Sequence, residues 1–380
     1  MTTHADVLAG LEAEFPRGAN GGGPSGVFLA ARLREPALEM DDPRVHIFIP
    51  DTHLVPQADA RRFPWATAGE LQVDALARLA ATLIHLRAGD STLRVWQLGD
   101  FIDLWRTGDI GGDPQEDADD TVADRRELID AFMTTGMDIL AGNHDQELLQ
   151  YAWPHGRRTL STVALNRTAG VGRGDTILAH GHQFDPIETL SRDIKEHFAR
   201  GFTELLPPIA TGMLEATNPH WKPQPRNQPP PPKPGDPLKF LHFGLTEADP
   251  VPLASDAVNV IQHTVVHDPG RAFANSLGGG TKPSADGPGQ TFFSDAGFWA
   301  QKVSTDGRDV RLMVIGHTHR ARIVRGKRPD GTPFVLMDCG ACTGSGFLSD
   351  EMDDPIHHLQ IGVKVADDLR IYQLGYELRT

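Results

Sequence analysis

The sequence predicts an α/β fold, and two observations carry that expectation. Apolar runs of strand character are joined by a segment of helical periodicity, in the order strand, helix, strand. Five apolar runs also end in a turn bearing Asp, Asn or His, at the strand edge where open α/β sheets bind their ligands.

The first of these runs holds Val45, Ile47 and Ile49 and stops at Pro50. Asp51 and His53 follow. In an extended segment residues i and i+2 face one side, so this carboxylate and imidazole can reach one ion. Taken alone, the pair reads more readily as an Asx turn with a surface histidine. Thr67 and Glu70 have capping-box spacing and open a helix, with Val73, Leu76, Ala77, Ala80, Leu83 and Ile84 at helical spacing. The next strand holds Leu93, Val95, Trp96 and Leu98. It ends in Gly99-Asp100-Phe101-Ile102-Asp103, where the glycine permits a sharp turn.

Residues 108–120 are rich in Asp and Glu. Their spacing does not match a calcium-binding EF-hand, so they are read as a solvated acidic loop. A helix through Leu128, Ile129, Phe132 and Met133 leads to a strand at Met137–Leu140. That strand ends in Gly142-Asn143-His144-Asp145, and a helix is expected over Gln146–Tyr151. Strands are expected near 160–166 and 175–179, the second ending in His180-Gly181-His182. The run Val310–Ile315 ends in Gly316-His317-Thr318-His319. A last strand pair is expected at Phe334–Met337 and near 361–373.

This pattern divides the chain into an N-terminal extension (1–44), a core in two parts (45–186 and 301–380) and an insertion (187–300). The extension reads as a short helix, a glycine-rich loop and a connector. The insertion carries a helical apolar stripe at Ile194, Phe198, Phe202 and Leu205 and a proline-rich stretch at 219–237, which should be extended. It is read as a cap beside the site.

Composition narrows the function. A formal net charge of -15 over 380 residues, with no basic stripe, argues against a nucleic-acid or anionic-membrane surface. An anionic substrate would then need local positive charge, which bound metal ions can supply. Of 17 histidines, six fall in the strand-end motifs. Two cysteines give no disulfide framework. Cys339-Gly-Ala-Cys342 has CxxC spacing, but no helix signal or second pair accompanies it, and no redox or zinc role is assigned. The first forty residues have no basic start followed by an apolar core, and no segment approaches a membrane span. The expectation is a soluble, cytoplasmic protein.

Asp51, His53, Asp100, Asn143, His180, His317 and His319 offer only oxygen and nitrogen donors, a set suited to Mn, Fe or Zn. Seven donors exceed the needs of one ion and suit two ions sharing a carboxylate. A pair of metals about 3.5–4 Å apart can activate water and clamp a phosphoryl group.

The five blocks DxH, GDxxD, GNHD, the histidine of HGH, and GHxH, in that order, resemble the calcineurin-like metallophosphoesterase superfamily. The resemblance spans residues 51–319 and leaves the first 44 residues and the insertion outside. It implies a four-layer α/β/β/α sandwich with two mixed β-sheets. Asp51, His53 and His319 would hold one metal, Asn143, His180 and His317 the other, and Asp100 would bridge them. His144 matches the general acid and Asp103 the carboxylate that orients it. The implied activity is hydrolysis of a small-molecule phosphomonoester, phosphodiester or pyrophosphate by in-line attack of a metal-bridging hydroxide. For His182, a substrate contact and a supporting or surface position both stay open, and His182 is the alternative to His180 as the ligand at that strand end.

Protein serine/threonine phosphatases carry arginine after the second carboxylate of GDxxD, and here that residue is Leu104. The GDFIDLW block is similar to UDP-2,3-diacylglucosamine hydrolases, which often have arginine where His144 stands and whose chains are shorter. A catalytically inactive binding scaffold of this fold, and a metal enzyme acting on a non-phosphorus ester, are the competing readings. Arg106, Arg157, Arg158 and Arg320 are candidates to hold phosphate. Exposed charge balance is the alternative for each.

Overall fold

The computed structural model describes residues 2–17, 25–36, 44–62, 70–108, 112–149, 151–161, 163–166, 176–182, 296–297, 300–301, 304, 309–319, 321–342 and 358–375. Almost all of the 187–300 insertion, the Thr67 cap and Arg320 lie outside them. The fold is α/β with two mixed sheets.

The first sheet has six strands. In chain order they are β1 (Gly26–Arg34), β2 (Val45–Ile49), β3 (Arg94–Gln97), β4 (Asp138–Ile139), β10 (His358–Val365) and β11 (Asp368–Gly375), and in space they run β1-β11-β10-β2-β3-β4. The second sheet is formed by β5 (Val163–Asn166), β6 (Thr176–Ala179), β7 (Leu312–Ile315), β8 (Ala321–Lys327) and β9 (Pro333–Cys339), in the order β5-β6-β7-β9-β8. Each sheet has a parallel set: β2-β3-β4 forms one side of the first sheet, beside antiparallel β10, and β6-β7-β9 forms the middle of the second, between antiparallel β5 and β8.

Side-chain alternation sorts the strand residues into two apolar layers. Val45, Ile47, Ile49 and Val95 face the helices α1 (His4–Glu14), α3 (Glu70–Gly89) and α5 (Arg126–Thr134), and a short helix α2 (Gln57–Arg62) precedes α3. Phe48, Trp96, Leu369 and Ile371 face the other way. They meet Leu178, Leu312, Val314, Val335 and Met337 of the second sheet. All five residues of β2 are buried, as a strand covered on both faces requires. The outer face of the second sheet packs Ile177, Met313, Phe334 and Leu336 against Ala296 and Ala300. Among the described residues no helix is long and apolar enough to cross a membrane.

Four local expectations are corrected. The N-terminal connector contains β1, which pairs antiparallel with β11 across a register shift between Leu29 and Ala31. Its alternation is weak because it is an edge strand with one solvent-facing flank, and the bulge twists that edge. Within the acidic loop lies the helix α4 (Pro114–Asp124). Asp113 caps it by accepting the Gln115 N–H, Pro114 occupies the first turn, and Glu116 and Asp117 favour the positive end of the helix dipole. The helix expected over Gln146–Tyr151 is a single 3₁₀ turn, Gln146–Leu148. The segment near 361–373 is two strands, β10 and β11, joined at Ala366–Asp367.

Because Phe48 fills the layer between the sheets, Phe48→Ala should lower unfolding free energy by about 3–5 kcal/mol. Urea denaturation of the chelator-treated protein checks this, and a loss below about 1 kcal/mol would mean the sheets do not depend on that contact.

Candidate metal centre

The carboxyl ends of the two parallel strand sets meet. After β2 the chain turns through Asp51 and His53, after β3 through Gly99 and Asp100, after β4 through Asn143 and His144, after β6 through His180, and after β7 through His317 and His319. Backbone hydrogen bonds lace these turns together. Thr52 and His53 N–H both donate to the Asp100 carbonyl, at 3.0 and 2.9 Å, Gly316 N–H donates to the His180 carbonyl at 2.9 Å, and Cys342 N–H donates to the Asp51 carbonyl at 2.7 Å.

These turns are strained. His53, Asp100, His317 and His319 all adopt positive φ, at 45°, 53°, 67° and 55°. Such backbones cost roughly 1–3 kcal/mol each for residues bearing a Cβ, and they cluster at functional sites. The expected extended i, i+2 geometry is therefore not what joins Asp51 to His53 or His317 to His319. Left-handed turns bring them together instead. Gly99 takes φ 104°, and a Cβ there would lie 2.6 Å from the Gly142 nitrogen. A Cβ on Gly142 would collide with the Asp100 carboxylate. Neither position admits a side chain without moving the cluster.

The donor atoms fall into two overlapping sets. In the first, His319 Nε2 is 3.0 Å from Asp51 Oδ2, and His53 Nε2 is 3.9 Å from Asp51 Oδ2 and 3.6 Å from Asp100 Oδ2. In the second, His180 Nε2 lies 3.2 Å from Asp100 Oδ2, 2.9 Å from Asn143 Oδ1 and 3.2 Å from His317 Nδ1. The groups Asp51–His53–His319, His53–Asp100–His144 and Asp51–Asp100–His180 each have ligand atoms within 4.8 Å of one another, and each could hold a metal ion.

Two features fit a cation here. His53 Nε2 is buried, without a hydrogen-bond partner, between two carboxylates. The histidines are also oriented from behind: His53 Nδ1 lies 3.0 Å from Asp103 Oδ2 and His180 Nδ1 lies 3.1 Å from the Leu98 carbonyl. A proton on each Nδ1 leaves Nε2 as the free donor, the arrangement metal-binding histidines use.

The electrostatics express the same demand for positive charge. Burial works against ionising Asp51 and Asp100, yet the surrounding histidines, His180 foremost, pull Asp51 down to about 2 and Asp100 well below the usual carboxylate range. Burial likewise works against a charged His180, but Asp100 and Asp51 raise it to about 10. His144 goes the other way. Burial lowers it to about 4 although Asp103 and Asp100 oppose the shift.

Every strand-end residue singled out in the sequence lies in or beside this cluster. His144 Nδ1 is 2.9 Å from Asp103 Oδ1, so one carboxylate serves both His53 and His144. His182 is buried, its ring 5.4 Å from that of His180 and 6.4 Å from that of His317. Arg106 is engaged by Asp103. Arg157 and Arg158 belong to the turn at Pro154–Gly156, with Arg157 beside Arg87.

Three supporting residues were not assigned roles in the sequence. Trp105 stacks on His144, with ring centroids 3.8 Å apart. Gln97 closes a ring over Gly99, accepting its N–H at 2.8 Å and donating to its carbonyl at 2.7 Å. Asp145, fully enclosed, accepts from Gly142 N–H at 2.6 Å and Phe101 N–H at 2.8 Å and so clamps two turns together. Its position in GNHD was the available signal. Burial, with Asp100 adding to it, raises Asp145 to about 7.

No family model matches the chain, and no curated protein sequence matches it.

A ligand that binds only the folded state stabilises it by mass action, by about 2.7 kcal/mol at a hundred times its dissociation constant. Manganese added to chelator-stripped protein should therefore raise the melting temperature by several degrees. Asp100→Asn, which keeps the shape of the side chain, should abolish most of that shift. An unchanged shift in the variant would remove Asp100 from the centre.

Proposed function

We propose that the chain is a dinuclear metallophosphoesterase of the calcineurin-like type, with the four-layer sandwich that type implies. The observation that carries the reading is the pair of donor sets sharing Asp100, with the His144–Asp103 couple beside them. In this reading Asp51, His53 and His319 hold one ion, Asn143, His180 and His317 hold the other, and Asp100 contributes to both. Mn, Fe or Zn suits such oxygen and nitrogen donors. Two ions bound there would activate water and neutralise the oxygens of a phosphoryl group.

The chain's own residues supply orientation and a proton. Asp103 anchors the Nδ1 edge of His144, and stacking on Trp105 holds the ring plane. Nε2 is then the atom turned toward Asp100, at 4.0 Å from its Oδ2. A phosphate anion in front of this ring adds negative charge to that of Asp100 and Asp103. That raises the affinity of Nε2 for the proton it passes to the leaving oxygen. Arg106 balances the charge of Asp103 and is not free to hold substrate. The substrate class supported is a small phosphoester or phosphoanhydride.

Hydrolysis of p-nitrophenyl phosphate and bis-p-nitrophenyl phosphate with added manganese tests the reading. No turnover by the metal-loaded protein on these or on nucleotides and sugar nucleotides would favour a binding scaffold. His144→Ala should retain metal and lose about 10²–10⁴-fold in rate, the usual contribution of a positioned acid, and most on unactivated esters. Full activity of that variant on an unactivated diester would remove His144 from the mechanism.

A further inference from the structure

The turn between β7 and β8 carries two strained residues in a row of three, His317 and His319, at φ 67° and 55°. Such backbones persist only where the surroundings over-determine them. Asp51 restrains the turn from one side, its Oδ1 accepting the His317 N–H at 2.9 Å. The residue between the histidines, Thr318, is fully buried, and its hydroxyl donates a short hydrogen bond to Asp338 Oδ2.

Asp338 sits on β9, beside Ile315 in the parallel ladder, and is fully buried. The same Oδ2 accepts Arg322 Nε of β8 at 3.1 Å, and Oδ1 faces the Gly340 N–H at 3.5 Å. Burying a carboxylate is costly, and an apolar residue would serve packing as well or better. This one is satisfied by a cation, a backbone N–H and one hydroxyl, and that hydroxyl belongs to the residue separating two candidate ligands. Just past the end of β9, Ala341 bridges the Asp51 backbone, so this one segment supports both ends of the first donor set.

We propose that Asp338, acting through the Thr318 hydroxyl, is a positioning residue that fixes how His317 and His319 present their rings to the metal centre. The inference rests on the metal-centre reading above. Arg322 balances the Asp338 charge, so the carboxylate anchors the turn and does not itself draw the ion.

The test is manganese binding to the full, chelator-stripped chain by titration calorimetry, with the melting temperature of the metal-free protein measured alongside. Thr318→Val keeps the shape and removes the hydroxyl, and Thr318→Ser keeps the hydroxyl. The expected result is a loss of manganese affinity of about 10–100-fold in Thr318→Val, typical of removing a residue that orients a ligand. Thr318→Ser should bind close to the parent. Thr318→Ala, which sets no methyl against the carboxylate, serves in place of the valine variant if that one does not fold. Thr318→Val combined with Asp338→Ala should weaken binding no further than the worse single variant, because the pair acts as a unit. Parent-like affinity in the hydroxyl-free variants, or equal losses in the valine and serine variants, would overturn the proposal. A parent chain that binds no manganese would overturn the metal-centre reading itself, and this inference with it.

Discussion

Two carboxylates, Asp51 and Asp100, are buried where the strand ends of two sheets meet, and the rest of the site answers to them. Ionised groups removed from water cost several kcal/mol apiece unless charge and hydrogen bonds compensate. Compensation comes from both sheets. His53 and His144 approach from the first, and His180, His317 and His319 from the second. Apolar packing holds the sheets together along their length through Phe48, Trp96, Val314 and Met337. At the strand ends that packing stops, and opposite charge takes over. Folding and ion binding are thus written in the same residues, because a cation would meet a demand that the raised imidazoles of His180 and His53 otherwise meet.

The geometry of these turns follows from crowding. Five chain segments converge on a volume small enough that Gly99 and Gly142 leave no room for a Cβ. Under that constraint His53, Asp100, His317 and His319 accept backbones that L-residues avoid, and neighbouring groups hold them there. Asp145 does so for the turns after β3 and β4, and Gln97 secures Gly99. Rigid support of this kind lets short loops hold donor atoms in register with one another.

The candidate site was legible in the sequence because its chemistry is concentrated in short runs at strand ends, and Asp51, His53, Asp100, His317 and His319 could each be picked out locally. Their partners were not, since contact between Thr318 and Asp338, or Trp105 and His144, depends on how distant segments pack. Arg106 shows the cost of reading locally: proximity to a motif suggested phosphate binding, whereas the folded chain commits it to Asp103. Composition misled at α4, where acids that look solvated instead favour a helix start. Alternation failed at β1, because an edge strand bears only part of the apolar pattern.

The two thiols have a practical consequence. Cys339 lies in the layer between the sheets, Cys342 is equally buried, and burial raises both well above the ordinary thiol range. A thiolate is the reactive form, so neither side chain competes for maleimide reagents while the chain is folded. A cysteine introduced on an exposed residue such as Leu149 or Leu160 could then carry a fluorophore or spin label selectively, in an otherwise native background.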